Sequence, residues 1–143
     1  MSQKTPRQRW MATLARASRA EIEALLGAPP EHELLKAPET GTVMLEGRAG
    51  GAGQRFNLGE ATVTRCVVRL SGGRMGFSYA LGRDGRKARL AALLDARLQD
   101  EAEGSALHRG VAALAQSQAA ARELASRKAA ATKVDFFTMV RGA

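Results

Sequence analysis

The stretch GEATVTRCVVRLS, Gly59 to Ser71, constrains the fold more than any other part of the chain. Thr62, Thr64, Cys66, Val68 and Leu70 fall on one side of an extended backbone, and Val63, Arg65, Val67 and Arg69 fall on the other. Side chains of a strand alternate between faces, so this pattern predicts a strand with a less polar and a more basic face. Gly72-Gly73 follows at once, and MGFSYALG (Met75 to Gly82) reads as the return strand of a hairpin. Upstream, TVMLEGRAG (Thr42 to Gly50) reads as another strand and HELLKAPE (His32 to Glu39) as a short one. That gives an antiparallel sheet of about four strands.

On either side the period becomes helical. In TPRQ, Thr5 is placed to cap a helix, Pro6 fits the first turn and Gln8 occupies the capping-box position. Trp10, Met11 and Leu14 then share a face. SRAE (Ser18 to Glu21) repeats the capping pattern, so a fresh start is expected at Ser18. Ile22, Leu25 and Leu26 continue the apolar face until Gly27 and Pro29-Pro30 end it. Asp84 is a candidate N-cap for a helix with a stripe of Leu90, Leu93, Leu94 and Leu98. After Glu103-Gly104, a second long helix is expected from Ser105 to about Lys128, with Leu107, Val111, Leu114, Gln118, Ala121 and Ala125 facing inward. The class is α+β, with N-terminal and C-terminal helices packed on the sheet. The 143 residues form one domain, and residues 132–143 are read as a C-terminal docking tail.

Composition narrows the function. Aromatic residues are 4% of the chain, so Leu, Val, Met and Ala must build a modest core, and a partner is expected to add stability. The formal net charge of +8 suits an anionic partner, although a solvated basic surface has the same composition. The lone Cys66 excludes an internal disulfide and suits a reducing compartment. The N-terminal residues lack a signal-peptide pattern, and no stretch has the length of a membrane-spanning helix, so a cytoplasmic location is expected.

Three segments are candidates for function. In EGRAGGAGQRF (Glu46 to Phe56), Gly50, Gly51 and Gly53 between Arg48 and Arg55 would let backbone N–H groups and two guanidiniums approach a phosphate. A flexible hairpin connection explains the same residues. The segment lacks the Gly-Lys-Ser/Thr of a P-loop, and Phe56 stands where a dinucleotide fingerprint needs its third glycine. The second segment, from Arg65 to Arg89, also contains Arg69, Arg74, Arg83, Arg86 and Lys87 against a single acid, Asp84. It suits a protein or small-phosphate interface better than nucleic acid, because its only aromatics are Phe77 and Tyr79. Those two share a strand face, for which core packing is the expected explanation. The third segment is the end of the chain, where Asp135, Phe136, Phe137, Met139 and Arg141 offer apolar anchors and a polar clamp for another subunit, or fold back on their own domain. No catalytic constellation appears: His32 and His108 are far apart in sequence and lack metal-ligand spacing with Cys66, which reads as a small core residue.

The segments ETGTVMLEGRAGGAGQRFNLGEATVTRCVVRL, GFSYALGRDGRKARLAALLDA and KVDFFTMVRG, with RQRWMATLA near the start, closely resemble the PhnG family of the bacterial carbon–phosphorus lyase system. The resemblance is weakest over residues 27–38 and 100–130. It implies an accessory subunit that works with PhnH, PhnI and PhnL to transfer the ribose 5-triphosphate unit of ATP to methylphosphonate, releasing adenine. It also implies a core complex with PhnI, PhnH and PhnJ. PhnJ, with an iron–sulfur cluster and S-adenosylmethionine, cleaves the carbon–phosphorus bond later. The family assigns no catalytic residue, cofactor or metal to PhnG itself. Two other readings stay open: direct phosphate contact by the glycine loop and its arginines, and a free-standing basic nucleic-acid-binding module.

Overall fold

The computed structural model describes residues 4–48 and 55–142, and the side chains of all of these except 45–48, 55–58 and 132–142. The element order is α1 (Pro6–Arg16), α2 (Arg19–Leu26), β1 (His32–Arg48), β2 (Arg55–Leu70), β3 (Met75–Leu81), α3 (Gly85–Asp100) and α4 (Ala106–Gly142).

The helix starts follow the local chemistry expected of them. Thr5 and Ser18 each accept a hydrogen bond from the backbone N–H three residues on, and Gln8 and Glu21 return the bond to the capping residue's N–H. Asp84 caps α3 by accepting from the Lys87 N–H. Gly27 ends α2 with a φ of 69°, a conformation that costs glycine little.

The strands form one antiparallel sheet in the order β1-β2-β3, so the described sheet has three strands, not about four. The segments expected at His32–Glu39 and Thr42–Gly50 fall, as far as Arg48, in the single strand β1; residues 49 and 50 lie outside the described residues. Its register against β2 shifts between Leu34 and Lys36 and again between Lys36 and Glu39. Bulges at Leu34–Glu39, next to Pro38, let the chain pass a residue that cannot donate to the ladder without ending the strand. β3 pairs with β2 only from Val63 to Arg69. Thr42–Arg48 and Arg55–Thr62 therefore continue past it as a two-stranded ribbon.

α3 covers one face of the sheet. Leu93, Leu94 and Leu98 of α3 meet Cys66 and Val68 of β2, with Leu14, Ile22 and Leu26 from the N-terminal helices completing the cluster. Beside β3 the packing is close because both surfaces are small: Gly76, Ser78 and Ala80 face a helix that carries Ala88, Ala92 and Ala96. The Ser78 hydroxyl donates to the Ala88 carbonyl oxygen at 2.6 Å. A Cβ at Gly76 would overlap the Ala92 carbonyl oxygen and press on Ala96 Cβ, both on a buried helix. Gly76→Ala is therefore expected to cost about 2–3 kcal/mol of stability, read as a lower urea midpoint, because the helix must move outward to admit one methyl group.

α4 departs from expectation in two ways. It runs to Gly142 instead of ending near Lys128. Leu107 and Val111 are buried and Leu114 is partly so, but Ala121 and Ala125 are exposed, and every residue from 119 to 131 is solvent-exposed. The inward seam stops at Gln118, whose side-chain amide donates to the Thr13 carbonyl oxygen at 3.0 Å.

Candidate functional site

The most concentrated polar constellation among the described side chains is centred on Asp95, in the middle of the leucine stripe of α3 and fully buried. Arg7 donates to both of its oxygens, from Nε to Oδ1 at 3.1 Å and from Nη2 to Oδ2 at 2.8 Å. Trp10 Nε1–H donates to Oδ1 at 2.8 Å, and the Phe77 backbone N–H donates to Oδ2 at 2.9 Å. Gln99 Nε2 approaches Oδ2 at 3.3 Å and also donates to the Met75 carbonyl oxygen at 2.8 Å. The bond to Asp95 is the main reason the Arg7 guanidinium is held even more basic than usual; burial opposes it. With both oxygens occupied, Asp95 joins α1, β3 and α3 and has no lone pair poised to take a substrate proton.

α3 also supplies partners for the backbone of β3 along the side where, among the described residues, no fourth strand pairs. In addition to the Asp95 and Gln99 contacts, Lys87 Nζ donates to the Leu81 carbonyl oxygen at 3.1 Å. Desolvation pulls the Lys87 amine below its ordinary range, and Asp84 and Glu21 partly restore it. Such contacts shield a strand edge that would otherwise invite further pairing.

The histidines are likewise engaged. Arg89 Nε donates to His32 Nε2 at 2.8 Å, which leaves Nδ1 to carry the proton and donate to the Pro30 carbonyl oxygen at 2.7 Å. His108 Nε2 lies 2.9 Å from the Leu98 carbonyl oxygen, and its ring meets Trp10 edge-on at 5.3 Å. Among the described residues, no group of three or more His, Cys, Asp and Glu could hold a metal ion.

Cys66 is completely buried, and burial pushes its thiol up, with the charge of Arg89 pulling the other way. A raised folded pKa means that the stabilisation is complete below the usual thiol value of 9.0 and is lost as the pH rises beyond it. At pH 8 the folded protein is expected to react with a disulfide reagent at least roughly 100-fold more slowly than the urea-unfolded chain. Equal rates would place the thiol at the surface.

The basic stretch from Arg65 to Arg89 does not converge on one site. Arg69 pairs with Glu33, Arg74 pairs with Asp100 at 2.7 Å, and Arg89 is held by His32. Arg65 and Arg69 do share the outer face of the sheet, as expected, but Glu33 occupies Arg69. The expectation that Phe77 and Tyr79 pack in the core is overturned. They point to the outer face, and the inner positions of β3 belong to Gly76, Ser78 and Ala80 because α3 approaches too closely for large side chains.

A model of the phosphonate metabolism protein PhnG family matches residues 5–142. The chain belongs to the PhnG family. A relative from Rhizobium meliloti (strain 1021), alpha-D-ribose 1-methylphosphonate 5-triphosphate synthase subunit PhnG, is 49% identical over 144 residues, covering 95% of this chain and 89% of the relative. Residues matching PhnG therefore include all seven elements, the Asp95 constellation and all three segments picked as candidate sites from the sequence.

Of the candidate phosphate contacts, Arg48 ends β1, Arg55 begins β2, and the two are register partners at the tip of the ribbon. Gly50, Gly51 and Gly53 lie outside the described residues, as do the side chains of Arg48 and Arg55. In the PhnG tail segment, the backbone of Asp135, Phe136, Phe137, Met139 and Arg141 continues helix α4, and their side chains lie outside the described structure. Sequence reasoning missed Asp95. The signal available was an acid inside LAALLDARL, at a position where the helical period calls for an apolar residue.

Proposed function

We propose that this chain is a subunit of alpha-D-ribose 1-methylphosphonate 5-triphosphate synthase. It organises PhnI, PhnH and PhnL as they transfer the ribose 5-triphosphate unit of ATP to methylphosphonate with release of adenine, and it contributes no catalytic group of its own. The observation that carries this reading is the near full-length relative whose name states that subunit role. Two features of the chain support it. The buried carboxylate Asp95 is spent on Arg7, Trp10 and the β3 backbone, and α4 continues beyond the core it helps to close, exposed throughout residues 119–131. A polar, alanine-rich helix exposed all round gains little from its own domain, so a partner is the natural source of its stabilisation. The proposed location is the cytoplasm; among the described residues no helix is long and apolar enough to cross a membrane. ATP belongs to the assembled synthase, and the iron–sulfur cluster with S-adenosylmethionine belongs to PhnJ, the lyase subunit of the same core complex.

Co-expression of the tagged full-length chain with PhnH, PhnI and PhnL tests this directly: the partners are expected to co-purify in fixed ratios through size exclusion. Recovery of the tagged chain alone would contradict it.

A second reading has one observation in its favour, the pairing of Arg48 with Arg55 across the strand ends that flank the glycines. If the ribbon tip holds substrate phosphates, the double variant Arg48→Ala/Arg55→Ala is expected to assemble normally but lose roughly tenfold or more in adenine release, the scale of one or two charge-assisted bonds. Unchanged turnover would remove the ribbon tip from the site.

A further inference from the structure

The large side chains of β3 all point away from its own core. Met75, Phe77, Tyr79 and Leu81 are each about two-fifths exposed (39%, 39%, 39% and 41%), whereas the core-facing positions are small. Register places Phe77 opposite Val67 and Tyr79 opposite Arg65, so an apolar strip with one guanidinium at its centre runs along the sheet face that α3 does not cover. An antiparallel sheet open to water on one side normally carries polar residues there. A strip of this kind, with Tyr, Phe, Met and Arg prominent, has the composition of a protein-binding core.

Neighbouring charges narrow the choice of partner. Arg69 is paired with Glu33, Lys36 with Glu39, and Arg7, whose guanidinium lies 5.4 Å from the centre of the Phe77 ring, with Asp95. Arg65 is exposed; its register partner on β1 is Glu39, whose carboxylate lies 3.5 Å from Lys36 Nζ, and Arg65 itself forms no salt bridge among the described residues. One uncommitted cation in an apolar strip suits a single carboxylate within an apolar segment. It does not suit a nucleic-acid backbone, which needs a track of cations. The net charge of +8 also disfavours a second copy of the same chain.

We propose that this outer sheet face docks an amphipathic helix of a companion synthase subunit, with a carboxylate of that helix meeting Arg65. The inference rests on the reading of the chain as a subunit. The strip from Met75 to Leu81 is about 20 Å long at ~3.4 Å per strand residue, the length of a helix of about 13 residues. Such a helix would supply the layer missing from this side of the sheet.

The test uses the full-length chain co-expressed with PhnH, PhnI and PhnL. Arg65→Glu is expected to lower recovery of the companions at least tenfold, with Arg65→Lys and the likewise exposed control Arg86→Glu close to wild type. A photo-crosslinking residue in place of Tyr79 is expected to form an adduct with an acidic, helical segment of a companion; it also keeps the test decisive should Arg65→Glu fail to fold. Wild-type recovery with Arg65→Glu, or an absent adduct while the companions co-purify, overturns the docking face and leaves the subunit reading intact. Failure of the wild-type chain to recover any companion overturns both. Two other results also overturn the docking face: an adduct between two copies of this chain, and binding of a labelled single-stranded RNA 20-mer that Arg65→Glu abolishes.

Discussion

Asp95→Ala is expected to destabilise the folded chain by about 3 kcal/mol. Asp95 is fully buried, and its removal leaves the Trp10 indole N–H and the Phe77 backbone N–H without their acceptor. Each unsatisfied buried donor costs ~1–3 kcal/mol, and Arg7, partly exposed, recovers some of its loss by turning to water. Asp95→Asn is expected to be nearly as harmful, because Oδ1 accepts from Arg7 and Trp10 and Oδ2 from Arg7 and Phe77, so an amide NH2 at either position sets a donor against donors. Urea unfolding followed by far-ultraviolet dichroism reads the effect as a midpoint lower by roughly 1–2 M. A midpoint within experimental error of wild type would mean that the constellation does not join α1 to the sheet.

Removing residues 135–143 is expected to have the opposite profile: little change in stability and a large loss of assembly. Among the described side chains the core contribution of α4 ends with Leu107, Val111, Leu114 and the Gln118 contact to Thr13, and residues 119–131 are exposed, so the truncated chain is expected to keep that packing. If Phe136 and Phe137 anchor the chain on PhnI, their loss removes two aromatic hot spots, each worth ~2 kcal/mol or more, and affinity falls roughly a thousandfold. Titration of purified PhnI with each chain measures this. Equal affinities would end the anchor reading, whereas a lower urea midpoint would show that the tail folds back on its own domain.

Much of the fold was legible because it is written in local chemistry. The capping boxes at Thr5 and Ser18, the cap at Asp84 and the alternation through Cys66 and Val68 are short-range signals, and the structure realises each of them. The errors arose where tertiary packing decides. Nothing in His32–Glu39 alone shows that the strand survives past Pro38, since the bulged register depends on β2. The pair Phe77 and Tyr79 has the look of a core face until α3 is known to lie close enough to demand Gly76 and Ala80 instead. Asp95 reads as an interruption in a leucine stripe because its partners Arg7 and Trp10 lie 88 and 85 residues away in the chain. The functional assignment came from whole-chain likeness, since the glycines of the ribbon and the aromatic pair of the tail have no chemistry specific enough to name a substrate.

The central claim, a required but non-catalytic synthase subunit, is tested most directly by adenine release from ATP and methylphosphonate in a reconstituted mixture of PhnH, PhnI and PhnL with and without this chain. The account predicts that adenine appears only when the chain is present, and that charge-removing substitutions at Asp84, Asp100 and Glu101, exposed or partly exposed carboxylates, leave the rate unchanged. Full adenine release without the chain would contradict it.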